Sequence, residues 1–169
     1  MLDIRNSSSV TRAIGALLIL LSIVAPRSAR AYGFEGVGGK LGYASAEDLN
    51  GTAALSVHAE FDQTGSRLHL LPNMTYWQTD GIRDLSPNFD MYYHFNPEGT
   101  MTPYLGGGLG LNFIHRDRFG EGSTDVGMNL VGGLRFPGNE NHYFLEGRYT
   151  ASTMSQAMVM AGVTFGGQR

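Results

Sequence analysis

The sequence predicts an all-β protein, eight antiparallel strands joined up-and-down and closed into a transmembrane barrel, behind a cleavable signal peptide. Three observations predict it. From residue 32 onward, apolar and polar residues alternate with period two, and turn-like clusters interrupt the alternation. One of the two faces this defines carries an aromatic residue near the end of each strand, and the other is glycine and polar groups. No stretch after residue 31 is apolar for 18 residues, so no membrane-crossing helix is expected there.

The leader comes first. Arg5 and Arg12 lie in a short basic head, followed by the apolar run from Gly15 to Ala25. Ser28-Ala-Arg-Ala31 then supplies small residues at Ala29 and Ala31. This is the order of a secretory signal. The run has 11 residues, and a membrane-spanning helix needs about 20. The expected division is therefore a signal peptide over 1–31 and a barrel domain over 32–169. Residues 32–169 hold eight basic and fourteen acidic residues, a net charge of −6. That acidic balance argues against nucleic-acid binding. The chain has no cysteine, which excludes disulfides and a lipidated N-terminal cysteine.

Eight strand segments are expected, approximately over 36–43, 53–61, 68–78, 88–95, 101–114, 124–136, 142–150 and 156–166. The first, around Val37-Gly-Gly-Lys-Leu-Gly-Tyr43, sets Val37, Leu41 and Tyr43 against Gly38, Lys40 and Gly42. The second opposes Leu55, Val57 and Phe61 to Ser56, His58 and Glu60, and the third puts Asn73 and Thr75 on the polar side. In the fourth, Phe89, Met91, Tyr93 and Phe95 oppose Asp90, Tyr92 and His94. The fifth alternates Leu105, Leu109, Leu111 and Phe113 with Gly106, Gly108, Gly110 and Asn112. The sixth and seventh bring Asn129, Arg135, Glu146 and Arg148 to the polar face. The eighth carries Ala157, Val159, Ala161, Val163 and Phe165 on its apolar side.

Compact turns are expected at 62–67, 96–100 and 137–141, and generally longer loops at 44–52, 79–87, 115–123 and 151–155. Short turns at one end and longer loops at the other suit a membrane barrel. Glu47, Asp48, Asp80, Arg83, Asp84, Arg116, Asp117, Arg118 and Glu121 would then be loop charges, solvated or touching a partner.

Alternation alone also fits a soluble barrel with an apolar interior. The aromatic placement decides between them. Phe61, Phe95, Phe136 and Phe165 end the strands running toward the short turns, and Tyr43, Tyr76, Phe113 and Tyr149 lie near the opposite ends. All keep the parity of the apolar face, as two girdles at the membrane boundaries require. The opposite face would be a lumen in which Lys40, His58, Glu60, Asp90, His94, Arg135, Glu146 and Arg148 form a polar network. Glycines beside them make room for the long side chains, and charges of both signs can pair.

These segments resemble the small eight-stranded outer-membrane barrels of the OmpA and OmpX type. Val37–Tyr43, Pro103–Phe113 and Met128–Phe136 carry the resemblance, with a terminal strand ending near Phe165. In those proteins an aromatic residue closes the assembly signal, whereas here Gly166-Gly-Gln-Arg169 follows. The resemblance implies export to the bacterial outer membrane with both termini periplasmic. It implies contact with lipid and lipopolysaccharide, and with the barrel assembly machinery and periplasmic chaperones during biogenesis. A monomer without a cofactor is expected, with a structural or surface-interaction role in adhesion or envelope integrity. A narrow, porin-like pore for small solutes is the alternative, and a lipid A-modifying enzyme a more distant one.

Chemical motifs are scarce. The phosphate-loop pattern fails around Lys40, because Phe34 and Leu41 stand where glycine and Ser/Thr are needed. The histidines are His58, His69, His94, His115 and His142, with no H-E-x-x-H. His58, His69 and His94 share the polar parity, so lumenal hydrogen bonding is expected of them rather than metal binding. Outer-membrane deacylases keep a histidine beside a serine on a late strand. The corresponding Glu146–Ser155 segment has no histidine, which argues against that chemistry. No amphipathic helix precedes the first strand, as the palmitoyltransferase type would have.

Overall fold

The structure is a computed structural model and describes residues 32–62, 66–95, 99–116, 121–138 and 140–166. The expected signal peptide lies outside the described residues, as do Asp117 and Arg118. Eight strands follow one another: β1 (Gly33–Ala46), β2 (Thr52–Asp62), β3 (Leu68–Thr79), β4 (Ile82–His94), β5 (Thr102–Arg116), β6 (Glu121–Pro137), β7 (Asn141–Ala151) and β8 (Gln156–Phe165). Each pairs antiparallel with the next, and β1 pairs with β8 from Val37↔Phe165 to Ala46↔Gln156. The barrel is thereby closed, and its sheet has no open edge.

The period-two pattern sets which way each side chain points. Along β2, Leu55 and Val57 are exposed while Ala54, Ser56, His58 and Glu60 are buried. The same parity runs through β7, where Tyr143, Leu145 and Tyr149 face outward and Phe144, Glu146 and Arg148 inward. The outer surface is apolar: Leu41, Leu55, Leu109 and Val159 are each about 60% exposed. A contiguous apolar belt of this extent would be an aggregation surface on a water-soluble monomer. Against hydrocarbon it costs nothing, and closure leaves no strand edge unsatisfied there.

All eight aromatics expected in the girdles face outward. Phe61 and Phe113 are half-buried against their neighbours, and the other six are exposed. Phe34 joins the terminus-end ring, its centroid 5.7 Å from that of Phe61. Tyr43 lies level with Ala53, eight residues along β2 from Phe61. At ~3.4 Å per residue and a tilt of about 40°, the rings are roughly 20 Å apart.

The connections differ from expectation. The segment 79–87 is not a loop. Thr79 pairs with Ile82 around the two-residue turn Asp80-Gly81, and β4 starts at once. Both turn residues have left-handed backbones, with φ of 51° and 72°. Asp-Gly is a favoured dipeptide for such a turn, because it matches the twist of the strands. Arg116 likewise pairs with Glu121, so β5 and β6 extend into the segment read as a loop. The connections at the end away from the termini span 47–51, 80–81, 117–120 and 152–155. At five, two, four and four residues they are on average shorter than the five, seven and three residues at 63–67, 95–101 and 138–140. Arg83 and Arg116 therefore stand on strands, and of the charges expected on loops Glu47, Asp48 and Asp80 are the ones described there.

Candidate functional site: the packed lumen

The inner face of β1 to β8 is assembled in three levels. At the terminus end, a bulge between Phe34 and Gly36 turns Glu35 inward beside Glu60. A bulge sets two residues of one strand against one of its partner. Arg135 on β6 spans both carboxylates, with Nη2 to Glu35 Oε1 and Nη1 to Glu60 Oε1, both 3.0 Å. His69 Nδ1 lies 3.1 Å from Glu35 Oε2 and 3.0 Å from Glu60 Oε1. The ring of His94 packs edge-on against His69 with centroids 4.1 Å apart. His58 Nε2 reaches the hydroxyl of Thr164 on β8 at 2.9 Å.

The middle level holds the strongest charge pairing. Lys40 Nζ lies 2.8 Å from both carboxylate oxygens of Glu146. Tyr92 donates its hydroxyl to Glu146 Oε2 at 2.9 Å, and Tyr104 does so at 3.3 Å. Arg148 Nη2 binds Asp90 Oδ2 at 2.6 Å and approaches Glu146 Oε1 at 3.5 Å. Asp90 also accepts from Asn73 and Asn129, at 2.7 and 2.9 Å. Every one of these side chains is buried. Charges of both signs in a dry interior demand this pairing. The Tyr92 and Tyr104 rings stack with centroids 5.0 Å apart. Glycine is needed beside them, since a Cβ at Gly133 would collide with the Tyr104 ring and the Leu145 carbonyl.

At the loop end, Trp77 on β3 donates its indole N–H to Gln156 Oε1 at 2.9 Å. Gln156 Nε2 in turn donates to Asp84 Oδ2 at 2.9 Å, which also accepts from Ser86 at 2.7 Å. Asp84, expected to be a loop charge, is thus fully buried in the lumen. The short Asp80-Gly81 turn brings it there, because it sits two residues into β4 with inward parity. Trp77 packs with Ala44, Ala46, Ala54, Met158 and Met160. A second apolar group joins Leu71, Val131 and Phe144 to Tyr92 and Tyr104. The interior is therefore more apolar than the sequence suggested, and these rings and thioethers close it beside the ion pairs.

The structure brings Lys40, Asp90, Glu146 and Arg148 into one network, and Glu60 and Arg135 into another, with His94 packed beside it. His58 stands between them, its ring 5.5 Å from that of Phe144. Sequence reasoning missed Glu35, Tyr92, Tyr104, Trp77 and Gln156 as members of these networks. Tyr92, Tyr104, Trp77 and Gln156 could have been found, since all have inward parity. Glu35 could not, because its position depends on the bulge. The lumen leaves little space: one void is about 20 Å³ and lies among Glu60, Tyr92, His94 and Arg135. A second, near Asn112 and Arg148, is about 10 Å³. Neither holds much more than a single water.

No protein-family model and no curated protein matches the sequence. Solved structures do match in fold. Neisserial surface protein A is similar with a TM-score of 0.67 at 18% identity, over 77% of this chain and 95% of that one. The N-terminal β-barrel domain of Pseudomonas aeruginosa OprF gives 0.59 at 16%, over 79% and 98%. The outer membrane enzyme PagL gives 0.55 at 15%, over 75% and 97%. At these identities the likeness speaks of architecture, and closure, strand number and the apolar exterior agree with it. The chain has the fold of the small eight-stranded outer-membrane β-barrels.

Proposed function

We propose that the protein is a closed barrel of the bacterial outer membrane with a structural or surface-interaction role. The observation that carries this reading is the filled middle of the lumen. Lys40, Glu146, Tyr92, Arg148 and Asp90 meet side chain to side chain across the barrel axis, which disfavours a diffusion pore. The apolar belt and its aromatic ends support residence in a bilayer. With eight strands both termini lie at one end, which the proposal assigns to the periplasm. The likeness to a surface protein of Neisseria agrees with a role at the cell exterior.

Expression with the leader, followed by fractionation and gel migration with and without heating, tests the location. Recovery with the outer membrane and a heat-dependent shift are expected, whereas a soluble periplasmic monomer would defeat the reading. Planar bilayers test the closed lumen: no conductance steps are expected, and regular steps would establish a channel instead. The likeness to an outer membrane enzyme makes chemistry worth testing, and lipid A, the substrate of the enzymatic alternative drawn from the sequence, is the one to examine. Serine Oγ of Ser86, buried in the lumen, bonds Asp84 and Asn112. That arrangement offers no activated nucleophile. Unchanged lipid A acylation after expression is expected, and a lost acyl chain would make the protein an enzyme.

A further inference from the structure

Three strands converge at the terminus end of the lumen and bring one imidazole and two carboxylates together. His69 Nδ1 faces Glu35 Oε2 and Glu60 Oε1 at 3.1 and 3.0 Å. One ring nitrogen carries at most one proton, so two carboxylates share it. We propose that His69, Glu35 and Glu60 form a binding site for a divalent transition-metal cation of the zinc class, with His69 Nδ1 and one oxygen from each carboxylate as ligands.

The geometry suits such an ion. One ligand atom from each of the three residues lies within 4.8 Å of the others. Bonds of about 2.0–2.1 Å in a tetrahedral site put ligand atoms roughly 3.3 Å apart. The two spacings from His69 Nδ1 need to open by only a few tenths of an ångström. Imidazole with two carboxylates is also a donor set for zinc or cobalt, whereas magnesium and calcium favour oxygen alone. Arg135 does not take the place of the ion. It bonds Glu35 through Oε1, leaving Oε2 toward His69, and at Glu60 it meets Oε1, the oxygen that also faces His69, where the ion would take the place of the His69 contact. A guanidinium in that position orients the ligating carboxylates, as outer partners of metal sites do.

The surroundings supply the rest. The void of about 20 Å³ adjoins Glu60 and His94, with room for a water as a fourth ligand. His142 Nε2 lies 3.6 Å from Glu35 Oε1, a further imidazole at the rim. The side chains of Glu35, His69 and Arg135 keep 9–13% of their surface exposed, so an ion can enter from the terminus end.

The test is titration of the metal-stripped protein, purified in detergent, with Co²⁺ followed by visible absorption and with Zn²⁺ followed by calorimetry. One ion per chain and a cobalt d–d spectrum of low coordination number are expected. His69→Gln and Glu60→Gln should each weaken Zn²⁺ binding by at least about 100-fold, beyond what loss of an outer partner costs. His58→Gln, outside the cluster, should leave it unchanged. Gel migration checks that each variant is folded. If a variant does not fold, crystals of the unaltered protein soaked in Zn²⁺ decide by anomalous scattering, with a peak expected among the three residues. Absence of saturable binding, undiminished binding in folded His69→Gln, or a peak elsewhere would each overturn the proposal.

Discussion

Lys40 on β1 and Glu146 on β7 meet across the lumen, Nζ within 2.8 Å of both carboxylate oxygens, although β8 lies between their strands in the sheet. The two ends of this contact are unequally supported. Glu146 also accepts from Tyr92 and Tyr104 and lies near Arg148. Lys40 has Tyr92 Oη at 3.5 Å as a further, weaker partner.

Removing the carboxylate should therefore cost more than removing the ammonium. Breaking a buried pair from one side costs about 3–5 kcal/mol. Glu146→Leu is expected at or above the top of that range, and Lys40→Met at or below its bottom. The double variant should cost less than the sum of the two. Urea unfolding in lipid vesicles, read through the single tryptophan, measures all three. Additive losses would show that the pair is not coupled.

Trp77 gives a second expectation. It is 1% exposed and donates to Gln156. Its emission should be blue-shifted and shielded from iodide in the folded barrel. Gln156→Leu strands the indole N–H and takes a donor from Asp84, and should cost about 1–3 kcal/mol. An unchanged urea midpoint would count against this network.

Two glycines separate lumen from exterior. At Gly133 a Cβ would strike the Leu145 carbonyl and the Tyr104 ring, whereas at Gly147 the nearest atom is the Gly132 carbonyl at 3.8 Å. Gly133→Ala should destabilise by about 1–3 kcal/mol through overpacking. Gly147→Ala should be neutral or stabilise by up to ~1 kcal/mol, since alanine orders a strand at less entropic cost. Equal midpoints for the two variants would contradict the assigned inner and outer faces.

The last prediction concerns pH at the loop end. Asp80, in its two-residue turn, accepts from the backbone N–H of Asn50 at 3.0 Å and from its side-chain amide. The backbone N–H, with the amide, holds this carboxyl below the usual carboxylate range. A lowered carboxyl favours the clamped form above its ordinary value of about 3.9 and loses that preference as pH falls through the lowered value. The Asn50 amide resonance should therefore titrate with a midpoint below about 3.9. A midpoint at or above that value would mean that the clamp is not formed in solution.

Much of the lumen was legible because parity is a local property. Lys40, His58, Glu60, Asp90, His94, Glu146 and Arg148 point inward for the same reason that Leu55 and Leu109 point outward, namely that successive side chains alternate. Parity failed where a local irregularity intervened. Glu35 shares the odd numbering of outward Val37, yet the bulge turns it inward to meet Arg135 and His69. Asp, Gly, Arg and Pro crowd the run Thr79–Pro87 and give it the composition of a loop. Asp80-Gly81 is instead a tight turn, and Asp84 and Ser86 are polar because they face the lumen.

The sequence by itself determined the class, strand number, inner and outer faces and aromatic ends, since all follow from period-two alternation and turn chemistry. Only the tertiary structure decided which inward groups meet. Lys40 and Glu146 are 106 residues apart, and Trp77 and Gln156 are 79 apart. Nothing local to either member specifies such a pair. It depends on the β1–β8 closure and on the stagger of the strands around the barrel, which set the height of each side chain in the lumen.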